Sequence, residues 1–262
     1  MSFDLSRLNP SPVGFGKCDR CAYRDTSGTV AICHSCAMRE IEPLPEDGCQ
    51  VCQLPLQGDQ CGNPICNDRP TRHFDRNRAI GYRKGYLDST ISWYKNANQP
   101  YWAVIFARLL LAFLDEHREN FSEFDLIVAS PTYVSTKGPG RRWDHTRLVL
   151  RQAYLMAEGR WPFDVEKVPA VRKTKHTRKM TGQPWKVREA IADEEVWPAL
   201  EVPDPSRTRD KAILVYEDIF TDGLTINQVA RCLKEEGGAD RVSSITLARQ
   251  PWTRKGPEPL TS

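Results

Sequence analysis

The stretch Ala212-Ile-Leu-Val-Tyr-Glu-Asp-Ile-Phe-Thr-Asp-Gly-Leu-Thr225 decides how this chain is read. Its first five residues form an apolar run of strand length. Two adjacent carboxylates, Glu217 and Asp218, follow at the carboxyl end of that run. A short polar loop with one glycine then leads into apolar residues at helical spacing over residues 225–236. A near-continuous apolar run marks a strand covered on both faces, and open α/β sheets bind ligands outside the carboxyl ends of such strands. A helix N-terminus adds unpaired N–H groups and a positive dipole end, so residues 221–225 form a natural cradle for a phosphate. Glu217 and Asp218 can accept hydrogen bonds from vicinal hydroxyls, as on a ribose. Sugar plus phosphate is the ligand that follows.

On either side of this stretch the periodicity alternates between strand and helix. Residues 78–86 read as a strand and turn, 87–95 and 101–117 as helices, and 124–129 as a buried strand ended by Ser130-Pro131. A helix over 147–158, a strand over 165–171 and a final strand over 242–248 complete the series. This alternation predicts an α/β fold with a parallel sheet. The segment 192–210, rich in Pro and acidic residues, reads as a surface connection, and residues 255–262 as a frayed tail.

The chain has 262 residues, more than one average domain and fewer than two. Hydrophobic residues make up 40% and charged residues 27%, a globular composition that excludes a disordered chain. The longest apolar stretch, residues 102–114, is interrupted by Arg108 and is too short to cross a bilayer, which takes roughly 20 residues. No basic region followed by an apolar core opens the chain, so a cytoplasmic location and no membrane insertion are expected.

Nine cysteines break this ordinary pattern, and eight of them lie before residue 67. Cys18-x2-Cys21 with Cys33-x2-Cys36 makes one four-sulfur set, and Cys49-x2-Cys52 with Cys61-x4-Cys66 a second. In a reducing compartment such pairs read first as thiolate ligands, and zinc suits both sets as structural metal. An iron–sulfur cluster would use the same thiolates; a disulfide scaffold would need export; loosely interacting thiols are the third alternative. His34, between two ligands, reads as a bystander, and Cys232 as a packing residue. Residues 1–75 carry a net charge of −3 and residues 76–262 one of +6. The expected organisation is therefore a cysteine-rich double zinc module over 1–75, folded by its metal, and a self-sufficient α/β domain over 76–262.

Glu217-Asp218-Ile219-Phe220-Thr221-Asp222-Gly223-Leu224-Thr225 resembles the signature of the type I phosphoribosyltransferases. The resemblance implies that Glu217 and Asp218 hold the ribose hydroxyls of phosphoribosyl diphosphate. It likewise implies that Thr221, Asp222, Gly223, Leu224 and Thr225 hold the 5′-phosphate, with magnesium on the diphosphate. Asp222 departs from the usual Thr or Ser. A carboxylate and a phosphate 4 Å apart repel by about 4 kcal/mol at an effective dielectric near 20. Either such a carboxylate turns outward, caps the helix or shares the magnesium, or the substrate is no longer the standard one.

Over most of its length, from Cys49 to Arg249, the chain is similar to the ComF family, which joins a cysteine-rich zinc module to a phosphoribosyltransferase-like domain. Tyr82, Gly85, Tyr86 and Lys95 match one family pattern. Pro131 and Arg141-Arg-Trp-Asp-His145 are similar to another, with Arg142 where the family has Gly, and Gly238-Ala239-Asp240-Arg241-Val242 follows the signature helix. The activity this implies is transfer of a phosphoribosyl group to a nitrogen nucleophile, with Arg141 and Lys175 added to the substrate-binding residues. Handling of single-stranded DNA during DNA uptake is the alternative, and a zinc-dependent adaptor with a vestigial pocket the third.

Residues 167–188 bear on that choice, holding eight Lys or Arg, no acid, and Trp185 after Gly182-Gln183-Pro184. They suit a mobile loop closing over a reacting sugar. They suit equally a single-strand groove, or a solvated charge run. His145 and His176 read as polar surface or phosphate contacts rather than general bases, and Trp143 as packing.

Overall fold

The computed structural model describes residues 41–67, 70–96, 99–135, 142–253 and 256–257. In chain order these form α1 (Pro64–Asn67), β1 (Asn77–Tyr82), α2 (Gly85–Asn96), α3 (Trp102–Glu116), α4 (Arg118–Phe121), β2 (Leu126–Ala129) and α5 (His145–Ala157). β3 (Arg172–Lys173) and α6 (Trp185–Ile191) follow, then a π-helical turn (Ala192–Val196), a 3-10 turn (Trp197–Ala199), β4 (Leu200–Glu201) and a second 3-10 turn (Pro205–Arg207). The chain continues through β5 (Ala212–Phe220), α7 (Leu224–Glu235), β6 (Arg241–Arg249), β7 (Trp252–Thr253) and β8 (Gly256–Pro257). Cys18, Cys21, Cys33 and Cys36, with His34, lie outside the described residues, as do Arg141 and most of the tail.

β5 forms because its alternate residues bury on opposite faces, as a period of two requires. Leu214 and Tyr216 join an apolar cluster with α2, α3 and α5, while Ile213 and Val215 join another with α7 and residues 191–202. Four strands pair in the order β1-β6-β5-β2, every pair parallel. Parallel neighbours need crossover connections: α7 joins β5 to β6, α5 and α6 lie between β2 and β5, and α2 to α4 carry the chain from β1 at one edge to β2 at the other. The expected mixed α/β architecture with a parallel sheet is thus present. No described helix is long and apolar enough to cross a membrane.

Three details differ from the sequence reading. β5 does not stop at Tyr216 but runs through both carboxylates to Phe220, because β6 keeps pairing with it as far as Arg249 while β2 ends at Ala129. Residues 165–171 form no strand. Phe163 makes one parallel bridge to Ile127, after which the buried Asp164 accepts a hydrogen bond from Ala170 N–H at 2.7 Å and folds the chain back. Residues 192–210 are packed rather than a mere surface connection, for Ala192, Val196, Ala199, Leu200 and Val202 are all buried.

The described part of the cysteine-rich segment is stitched to the sheet. Ile41 packs in the cluster of the helix layer; Cys49, Cys52 and Cys61 share the other cluster with Phe220 and Val229. Asn227 on α7 accepts from His73 N–H at 2.7 Å and donates to the Thr71 carbonyl at 2.9 Å. Cys232 is fully buried in the same cluster, as a packing residue would be.

Candidate functional site

The end of β5 outruns β2, so Glu217 and Asp218 are set beside the loop that follows β2, where Ser130 N–H donates to the Tyr216 carbonyl. Asp218 is buried, and two side chains meet one of its oxygens: Lys95 Nζ at 2.6 Å, from the last turn of α2, and His145 Nε2 at 3.1 Å, from the first residue of α5. The His145 ring is fixed from behind, with Nδ1 3.2 Å from Thr132 Oγ1, and its carbonyl accepts from Tyr94 Oη at 2.5 Å. α5 starts here because Asp144 caps it, accepting from Arg147 N–H at 3.0 Å. Glu217 accepts from Ser130 Oγ at 2.5 Å.

These surroundings push the two carboxylates apart. Burial, with the Asp218 charge beside it, raises Glu217 to about 7. Burial also opposes charge on Asp218, but Lys95 and His145 outweigh it and hold that carboxyl well below its usual range. One group is firmly ionised and its neighbour is poised to exchange a proton near neutrality, a division that suits a reaction site. Ligand atoms of His145, Glu217 and Asp218 lie within 4.8 Å of one another, close enough to hold a cation.

The loop after β5 turns on Gly223, at φ +92°, where a Cβ would fall 2.5 Å from Phe220 Cζ. Glycine is required there on both counts. Asp222 is buried and its charge is met within the chain: Oδ1 accepts Leu224 N–H at 2.9 Å, capping α7, and Oδ2 pairs with Arg188 of α6. The repulsion expected from this carboxylate is therefore offset by a guanidinium, although Leu224 N–H is no longer open to a ligand. Thr221 and Thr225 are half-buried and Leu224 is buried.

The basic segment approaches the site through Lys173, close enough to Glu217 to feel its charge. The ring of His176 lies edge-on to Tyr133, in the loop after β2, at 6.3 Å. Lys173 donates to Thr177 Oγ1 at 2.7 Å; burial pulls its ammonium down, and Glu217 and Glu195 push it back up. Lys175 is exposed. Arg172 pairs with Glu201, Arg178 with Glu195 and Arg188 with Asp222. Trp143 packs against Tyr94, centroids 4.7 Å apart.

Lys95, Ser130, Thr132, His145 and Lys173 are the site groups that the β5 stretch does not announce. Lys95 and His145 stood in the quoted patterns, but as helix ends. Packing of α2 and α5 against the β5 side of the sheet brings them to Asp218.

A second cluster lies against the loop from the other side. The sulfurs of Cys49, Cys52, Cys61 and Cys66 are within 4.8 Å of one another, with Cys52 and Cys61 at 3.5 Å, and all four are free thiols. A tight turn presents the first pair: Cys49 N–H donates to the Leu54 carbonyl at 2.7 Å, and Gln53, at φ 62°, donates to Cys49. Hydrogen bonds from the other three thiols, with the charge of Arg249, hold Cys52 far below the usual thiol range. Four soft donors converging on one point fit a tetrahedral metal such as zinc.

No model of a known protein family matches this chain, and no curated protein does. What fold and site define is a class: a mixed α/β protein with a mostly parallel sheet. It carries a carboxylate, lysine and histidine cluster at one strand end and a four-thiol cluster beside it.

Proposed function

We propose that the protein binds phosphoribosyl diphosphate together with magnesium and transfers the phosphoribosyl group to a nitrogen nucleophile. The observation that carries this reading is the continuity of β5. Two adjacent carboxylates, Asp218 buried and Glu217 half-buried, lie in one strand, and five residues beyond Asp218 the chain turns at Gly223 into the N-terminus of α7. Carboxylates that accept hydroxyl protons and a helix N-terminus that offers N–H groups, close together in the chain, are the groups that a ribose and its 5′-phosphate call for.

In this reading Asp218, kept ionised by Lys95 and His145, orients one ribose hydroxyl. Glu217, raised towards neutrality, orients the other and can take or give a proton. The C1–N bond forms as the C1–O bond to diphosphate breaks, and the proton leaving the nucleophile passes to a base or to water. Magnesium takes oxygen ligands, which Glu217 and Asp218 offer, and would neutralise charge on the departing diphosphate. Residues 172–178, which approach the site through Lys173, help to exclude water. DNA handling gains less support, since Arg172, Arg178 and Arg188 each pair with a carboxylate of the chain itself.

Calorimetric titration of the protein with magnesium and phosphoribosyl diphosphate tests the reading. Wild type should bind, and Asp218→Ala should lose most of the heat. Absence of heat from both proteins overturns it.

A further inference from the structure

Two fully buried side chains join the thiol cluster to the loop after β5. Arg249, the last residue of β6, donates Nε–H to the Cys52 carbonyl at 2.9 Å and has Nη2 3.6 Å from Cys52 Sγ. Its Nη1 donates to the carbonyls of Phe220 at 3.0 Å, Thr221 at 2.6 Å and Gln250 at 2.9 Å. Asn63 works from the other side. Its backbone N–H points at Cys61 Sγ at 3.4 Å, and its side-chain Nδ2 donates to the Asp222 carbonyl at 3.0 Å. Three successive carbonyls, at Phe220, Thr221 and Asp222, are thereby held by groups that also touch the sulfur cluster.

We propose that Arg249 and Asn63 are positioning residues that lock the ligand loop to the metal state of Cys49, Cys52, Cys61 and Cys66. Occupancy of that site would then set the order of residues 220–225. The physical reason lies in burial. A metal-bound set of four thiolates carries excess negative charge, which the Arg249 guanidinium offsets without water. When the metal leaves, Cys52 and Cys61 lose their common anchor. A guanidinium with no exposed surface cannot exchange a lost acceptor for solvent, so it must move, and the carbonyls it holds move with it. Only the nature of the ligand rests on the proposed function; the mechanical link does not. Coupling is reciprocal, so a ligand that orders the loop should also retain the metal.

Hydrogen exchange on the full-length, zinc-loaded chain tests this, with zinc content measured in parallel by a chromophoric chelator. In Asn63→Ala and in Arg249→Met, amides of residues 220–227 and of Gln250 should exchange at least tenfold faster than in wild type. Zinc content of Asn63→Ala, and exchange in α3 of both variants, should stay unchanged. Loop exchange within twofold of wild type in Asn63→Ala overturns the proposal, whether or not Arg249→Met folds. As a reciprocal readout, magnesium with phosphoribosyl diphosphate should slow zinc release from wild type severalfold and from Asn63→Ala much less. A wild type that binds no phosphoribosyl diphosphate overturns the functional reading alone, because loop exchange decides the link without any ligand.

Discussion

The thiol cluster and the carboxylate cluster flank the same loop, yet they are built in opposite ways. Cys49, Cys52, Cys61 and Cys66 come from one stretch of 18 residues and meet through local turns, such as the one in which Cys49 N–H reaches the Leu54 carbonyl. Lys95, Ser130, His145, Glu217 and Asp218 come from α2, the loop after β2, α5 and β5, and meet only when the sheet has formed. Like donors gathered at short range suit a metal that supplies folding energy. Unlike groups gathered at long range suit chemistry, because each tunes its neighbour's charge.

The largest effect should come from breaking the local cluster. Chelation, or Cys52→Ser, removes a metal worth on the order of 10 kcal/mol to the segment that binds it. Limited proteolysis should then cut within residues 41–75 while α3 stays intact, and a protease-resistant segment would mean that the thiols bear no structural metal. The long-range cluster should respond less. Asp218→Asn removes the carboxylate charge that meets Lys95, a loss of about 3 kcal/mol in denaturant unfolding for a buried pair. A cost under about 0.5 kcal/mol would mean that the pair is not held in the folded protein.

Smaller effects sharpen the contrast at the loop between the two clusters. Asp222→Ala should weaken folding by about 2 kcal/mol, from the lost acceptor of Leu224 N–H and a buried Arg188 left without its carboxylate. Adding Arg188→Met should recover part of that loss, so a double-mutant cycle should give a coupling of about 1 kcal/mol or more. Additive losses would show that the two side chains do not pair.

The gentlest probe is pH. Glu217 sits at about 7, with Asp218, Lys95, Ser130 and Lys173 around it, and its ionised form is the one that meets a cation. Affinity for the magnesium-bearing ligand should thus fall by up to about tenfold per pH unit below 7 and level off above it, since binding must then release a proton. A profile flat from pH 5.5 to 8 would place proton exchange elsewhere. The folded protein's own stability has the reverse dependence on this group. A raised carboxyl favours the folded state while protonated, so its contribution declines as pH rises from the ordinary Glu value towards 7. Asp218, held low, adds stability that is lost only in strong acid.

Strand and helix period was readable wherever burial repeats regularly. α2, α3, α5 and α7 fall within a residue or two of their expected bounds, and β5 and β6 lie where apolar runs announced them. Period failed at residues 165–171, where an apolar run folds back on Asp164 instead of pairing, a choice made by one buried carboxylate and the Ala170 amide. It failed at 192–202 too, where acidic and proline residues hid a set of inward-facing Ala, Val and Leu.

Within the site, the order of residues alone determined that Glu217 and Asp218 precede a glycine turn and a helix, and that four cysteines sit close enough to share a metal. Both are facts of short range, fixed by chain connectivity. Which partners ionise Asp218, that Arg188 neutralises Asp222, and that Arg249 joins the sulfur cluster to the ligand loop were decided only by the tertiary structure. Those contacts span from 28 to almost 200 residues of chain, and no local spacing encodes them. They exist because packing four parallel strands brings distant chain segments to one sheet edge, where buried charges must find one another or cost the fold its stability.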